Sequence, residues 1–219
     1  MCIDIYSISL LELYMMFGLA AVSLIVYVIG SIRNRRIVVN YSKMVKEEAS
    51  LYCTFTGFRI FSRGFEALCQ LRDDRVFSKV NIRFLPARRE NFMYYLLNFL
   101  VRDHDKIIFW GLLNDEAPIT LNIVNNNSMK IVEKFKNSDL RRIELNDAGF
   151  TVFTDSVEKA EKIVRRIHSQ LFQVRDSANL VTINRMNDWV RVVGVMRENS
   201  VKNTLNLLVR LGEVMKSLK

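Results

Sequence analysis

Residues 13–36 read LYMMFGLAAVSLIVYVIGSIRNRR, and this stretch decides how the chain is organised. From Leu13 to Ile32 there are 20 residues without a charge. As a helix rising about 1.5 Å per residue they span about 30 Å, the thickness of a bilayer's hydrocarbon core. Glu12 bounds the run on one side and Arg33, Arg35 and Arg36 on the other. Tyr14 and Tyr27 stand toward the ends, where amphipathic rings suit the interface. A cleaved signal peptide would have a basic leading segment and a shorter apolar core, whereas the leading segment here is acidic. The stretch predicts an uncleaved single-pass anchor over 13–32.

Working outward, charge sets the orientation. All 32 Lys and Arg residues lie at or after Arg33. Of the 23 acidic residues only Asp4 and Glu12 precede it, so the part from Arg33 onward carries a net +11, two above the formal +9 of the whole chain. Basic residues stay on the cytosolic side of a membrane helix. Residues 1–12 are therefore expected to be a short luminal segment, 33–50 a juxtamembrane helix, and 51–219 a cytosolic domain. Three cysteines, of which only Cys53 and Cys69 fall in that domain, fit a reducing compartment better than a disulfide framework. With cytosolic topology the sequons at Asn40 and Asn126 stay unmodified.

The rest alternates between strand and helix patterns. Residues 51–61 and 64–71 look extended, and Val80-Asn81-Ile82-Arg83-Phe84 alternates as a half-buried strand does. Residues 89–102 have a wide apolar helical stripe through Phe92, Met93, Leu96, Leu97 and Leu100. Two strands, 106–113 and 119–124, flank Asn114-Asp115-Glu116 and predict a hairpin. Ser128 is placed to cap a helix over 129–136. In outline the order then recurs: short strands at 142–145 and 150–153, and a helix starting at Asp155 with Glu158 three residues on. Strands at 171–174 and 189–196 follow, then a last helix capped by Ser200. The expected class is α+β, an antiparallel sheet covered by helices, with the recurrence hinting at two similar halves.

No motif for chemistry is present. There is no nucleophile elbow, phosphate-binding glycine loop or kinase signature. His104 and His168 stand far apart without metal-ligand spacing, and the acidic pairs Asp73-Asp74 and Asp115-Glu116 read as solvated turns. The expectation is no enzyme, no metal, no cofactor and no small-molecule substrate. Basic groups are the candidates that remain: Arg33, Arg35 and Arg36 at the membrane exit, Arg83, Arg88 and Arg89 around the first clean strand, and Arg165, Arg166 and Lys216 near the end. Arg141-Arg142 forms a further pair. The charge surplus points these toward a polyanion, either rRNA phosphate or anionic lipid. No aromatic interleaving supports base-specific reading.

Several of these strings resemble one known family. Gly30-Ser31-Ile32-Arg33-Asn34-Arg35-Arg36-Ile37 is similar to the membrane exit of the coiled-coil-domain-containing subunit of the PAT complex, the calumin family. So are Ile82-Arg83-Phe84-Leu85 followed by Arg88, Arg89 and an apolar helix, the Asn114-Asp115-Glu116 turn, and the later order of elements through the strand at Trp189 and the leucine-rich last helix. The sequence has twelve residues where that family has a long acidic luminal region, and it carries no counterpart of the basic coiled-coil tail. The resemblance implies a non-enzymatic endoplasmic reticulum membrane protein that supports insertion and folding of multi-spanning proteins. Its implied partners are the Sec translocon, a small membrane-embedded PAT complex subunit, and the large ribosomal subunit. Read from charge alone, the alternative is a tethered module that binds anionic membrane lipid through Arg33, Arg35, Arg36, Lys43 and Lys46.

Overall fold

A computed structural model describes residues 10–61, 63–71, 76–94, 104–136, 138–145, 148–197 and 199–218. Its first element, α1, runs from Leu10 to Ser50 without a break over 41 residues. The anchor and the juxtamembrane helix expected from sequence are thus one rod, about 60 Å long. No proline falls in it, and its glycines, Gly18 and Gly30, do not interrupt it. Up to Ile29 nearly every residue is exposed, including Leu19, Leu24 and Ile25. From Gly30 onward a stripe at helical spacing turns inward: Gly30, Asn34, Val38, Ser42, Val45 and Ala49. The rod's first part is long and apolar enough to cross a membrane, and its second part is an element of the domain core.

Nine antiparallel strands make one continuous sheet: β1 (Cys53–Phe61), β2 (Gly64–Leu71), β3 (Phe77–Leu85), β4 (Lys106–Leu113), β5 (Leu121–Asn125), β6 (Arg141–Leu145), β7 (Phe150–Thr154), β8 (Ala178–Asn184) and β9 (Trp189–Val195). The order across the sheet is β1-β2-β3-β4-β9-β8-β5-β7-β6. Three further helices are described: α2 (Met129–Lys136), α3 (Val157–Gln173) and α4 (Ser200–Lys216). The later part of α1, with α3 and α4, covers one face of the sheet. Phe65, Phe84, Ile107, Phe109, Val190 and Val192 point into that core. Short α2 covers part of the other face, over Val124, Phe153 and Leu180. The architecture is α+β, with an N-terminal apolar helix, as the patterning predicts.

Several sequence expectations are corrected. Strands β4 and β5 exist but do not form a hairpin, because the β8–β9 hairpin inserts between them. Residues 171–174 are not a strand. The apolar stripe Ile163, Val164, Ile167, Leu171 keeps α3 helical to Gln173. Residues 178–184, unassigned from sequence, form β8, which is buried on both faces and so shows no alternation. Asp155 does not cap α3. Ser156 stands at that position, and the Asp155 carboxylate accepts the Thr120 N–H at 3.0 Å, tying the entry of β5 to the start of α3. Asn199, in the left-handed region, precedes α4, and the Ser200 hydroxyl accepts the Arg197 N–H at 3.1 Å. Of the helix expected over 89–102, residues 92–94 are helical; residues 95–103 lie outside the described residues, as do Asp73 and Asp74.

Cys53 and Cys69 are in no disulfide and are buried on the neighbouring strands β1 and β2. A hydrogen bond to Cys53, with burial, pushes the Cys69 thiol far above its ordinary pKa. The thiolate is the reactive form, and burial shields both sulfurs from reagent in the folded state. In a Cys2→Ser background, no thiol is expected to react with a water-soluble disulfide reagent under native conditions, and both are expected to react in denaturant. Rapid native labelling of either cysteine would refute the buried pairing.

Candidate functional site

The predicted basic residues separate into groups with different local roles. Arg33, Arg35 and Arg36 project from α1 into solvent, and Lys43 and Lys46 do so further along. Arg88 is exposed in the segment after β3, close to where that segment meets α1. Arg165 and Arg166 are exposed on α3, and Lys216 on the last turn of α4. Arg165 reaches Glu161 at 3.8 Å, a surface pair of small energetic weight. Arg166 hydrogen-bonds the Ser217 hydroxyl, which brings this arginine to the end of α4, next to Lys216 in sequence.

Arg89 behaves differently from its neighbour. Its guanidinium grips Asp105 through both carboxylate oxygens at 2.8 and 3.0 Å, and also donates to Asn34 Oδ1 at 3.1 Å. Asp105 in turn accepts the Ala87 N–H at 2.9 Å, and Asn34 donates to the Ala87 carbonyl at 3.0 Å and to Glu90 at 2.6 Å. The side chains of Arg89 and Asp105 are only 17% and 12% exposed. The sequence expectation that Arg89 meets a polyanion is therefore corrected: this arginine is committed to clamping the 87–90 segment onto α1. Burial, with the Asp105 carboxylate nearby, holds the Tyr41 phenol above its usual range.

Arg83 is exposed on β3, on the sheet face away from the three helices, with its guanidinium 5.7 Å from the Phe61 ring centre. It borders a half-open cleft of about 270 Å³ built by β2, β3, β4 and β9. Trp110 and Trp189 form its apolar wall, their rings edge to face at 6.4 Å. The Arg191 guanidinium lies 5.1 Å over Trp189. Glu66 accepts a hydrogen bond from Asn81 Nδ2. The pleat puts these residues together: Asn81, Trp110, Arg191 and Thr182 are consecutive cross-strand partners on β3, β4, β9 and β8. Sequence reasoning missed this set. The legible signal was alternation, since Ile107, Phe109, Val190 and Val192 face the core and thereby turn Trp110 and Arg191 outward.

Among the described residues no group of His, Cys, Asp and Glu could hold a metal ion. His104 is exposed, and Asp115 and Glu116 lie on an exposed turn.

No protein-family model matches the chain, and no curated protein matches it. Among solved structures, the crystal structure of the mycobacterial trehalose monomycolate transport factor A, TtfA, aligns with a TM-score of 0.49 and 11% identity, covering 78% of this chain and 92% of that one. At that score and identity the alignment assigns no activity.

Proposed function

We propose that this chain is a non-enzymatic membrane protein of the endoplasmic reticulum. In this reading its domain is held at the cytosolic surface, beside the Sec translocon and a translating ribosome, where it supports insertion and folding of multi-spanning proteins. The observation that carries the proposal is the continuity of α1: one rod is apolar and exposed along its first part and joins the domain core along its second, with no linker between. A domain mounted this way keeps a fixed height and orientation over the membrane, as docking onto a large assembly requires. The exposed apolar rod is a surface for the channel and a small membrane-embedded PAT complex subunit.

Charge placement favours ribosome contact over lipid contact alone. Ala87 and Arg89, just past the end of β3, pack at Asn34. Gly212 of α4 packs on Phe77 at the other end of β3, and Arg166, Lys216 and Ser217 lie beyond it. Phe77 and Phe84 are separated by roughly 23 Å along the strand. One basic group is thus at the juxtamembrane end and another at the far end, where rRNA phosphate and not the membrane surface would be met. The second reading, anionic lipid binding, rests on the exposure of Arg33, Arg35, Arg36, Lys43 and Lys46 along one helix.

The test is affinity purification of the full chain from gently solubilised microsomes with ribosomes intact. Large subunits and the Sec channel are expected to co-purify, with ribosomes leaving as salt rises. Reversing Arg165, Arg166 and Lys216 to Glu is expected to cut ribosome recovery several-fold while leaving the protein in the membrane. If ribosomes flow through and only lipid is retained, the translocon reading fails and the lipid reading replaces it.

A further inference from the structure

We infer that the cleft on the open sheet face binds an extended peptide carrying an acidic side chain between apolar ones. Three polar atoms along the cross-strand row are buried without a hydrogen-bond partner: Asn81 Oδ1, Arg191 Nε and Thr182 Oγ1. Thr182 is only 7% exposed. A buried polar group left unpaired costs the fold on the order of 1–3 kcal/mol, and two of the three, on Asn81 and Arg191, belong to residues that line the cleft.

The atoms on Asn81 and Arg191 each specify part of that partner. The Asn81 amide cannot turn over, because its Nδ2 donates to Glu66, so its buried oxygen stays an acceptor in need of a donor. Arg191 Nε is a charged donor in need of an acceptor. Glu66 and Arg83 sit opposite each other in the β2–β3 register and offset one another, which leaves Arg191 as the surplus positive charge. A carboxylate answers it, with the guanidinium edge able to take both oxygens. A peptide supplies the N–H for Asn81 beside the carboxylate for Arg191; a phosphodiester offers acceptors only.

The remaining surface fits a chain longer than a small molecule. Trp110 is 47% exposed, and Leu68 and Leu112, on the same face to either side of it, are 42% and 43% exposed. The cleft, at about 270 Å³, lies at the small end of pockets that enclose a whole ligand and suits one or two side chains of a segment lying across the face. The inference is independent of the membrane and ribosome reading, since the cleft is on the sheet face away from α1.

The chain has two tryptophans, and both line the cleft, so intrinsic fluorescence reports occupancy directly. The full chain in detergent is titrated with a hexapeptide alternating leucine and aspartate, blocked at both ends, and with the same peptide carrying lysine for aspartate. A saturable emission change is expected for the acidic peptide, with binding about tenfold or more weaker for the basic one. Arg191→Gln is expected to weaken the acidic peptide by a similar factor, and Arg210→Gln, on the exposed side of α4, to leave it unchanged. Asn81→Asp, which keeps the shape and adds a negative charge, gives a second reading should Arg191→Gln misfold. No saturable change, an equal response to both peptides, an equal loss in Arg210→Gln, or saturation by phosphatidylserine vesicles or a neutral oligosaccharide in place of the peptide would each overturn the assignment.

Discussion

Replacing Arg89 with alanine is expected to destabilise the domain by about 3–5 kcal/mol, the cost of leaving the other half of a buried ion pair uncompensated. The residue holds three elements at once: Asp105 before β4, Asn34 on α1 and, through both, the 87–90 segment. Removing it strands the Asp105 carboxylate and the Asn34 carbonyl oxygen in a mostly buried site. For a domain of this size the loss corresponds to a fall in thermal midpoint on the order of 10 °C. Arg88→Ala is the control. That side chain is exposed beside Arg89 and its removal is expected to move stability by no more than about 0.5 kcal/mol. Arg89→Lys keeps the charge but loses the planar fork, and should fall between the two. Thermal unfolding of the detergent-solubilised chain, followed by near-ultraviolet circular dichroism, separates the cases. Equal midpoints for the Arg88 and Arg89 variants would remove Arg89 from the clamp and return it to the set of free cations.

Arg88 and Arg89 also show where sequence stops being informative. Adjacent, identical and followed by the same helix pattern, they differ only in what the fold places against them, and that comes from Asp105 and Asn34, elsewhere in the chain. Local patterns were legible where one face is wet: residues 80–84 alternate, and β3 runs through them. The signal fails where both faces are covered, as in β8, and where connectivity is non-local. Nothing near Asn114 announces that β8 and β9 will separate β4 from β5. The cleft belongs to the same class. Glu66, Asn81, Trp110 and Arg191 come from four strands, and only the register makes them neighbours. Charge told which residues would be exposed on helices, at Arg33, Arg35, Arg36, Arg165 and Arg166, because a solvated cation needs no partner to be predicted.

Gly30→Ala is expected to destabilise the junction between α1 and the domain by about 1–3 kcal/mol, although the same change stabilises an isolated helix by about 0.5–1 kcal/mol. A Cβ at Gly30 would stand 2.1 Å from the Arg89 carbonyl oxygen, 2.5 Å from its carbon and 2.7 Å from Glu90 Cα. These are backbone atoms, so no rotamer relieves the contact; the 87–90 segment must withdraw from α1, pulling on the hydrogen bonds between Asn34 and Ala87 and Glu90. Leucine at the same place would push further and lose more. Gly18, in the same helix with nothing within 4 Å of its would-be Cβ, supplies the opposite case: Gly18→Ala should be neutral or slightly stabilising. Protease sensitivity of the 87–94 segment, read beside the thermal midpoint, locates the damage. If both alanine variants stabilise alike, the close approach at Gly30 is wrong, and the domain is hinged on its helix; if only the Gly30 variant loosens the segment, the rod and the domain move as one body.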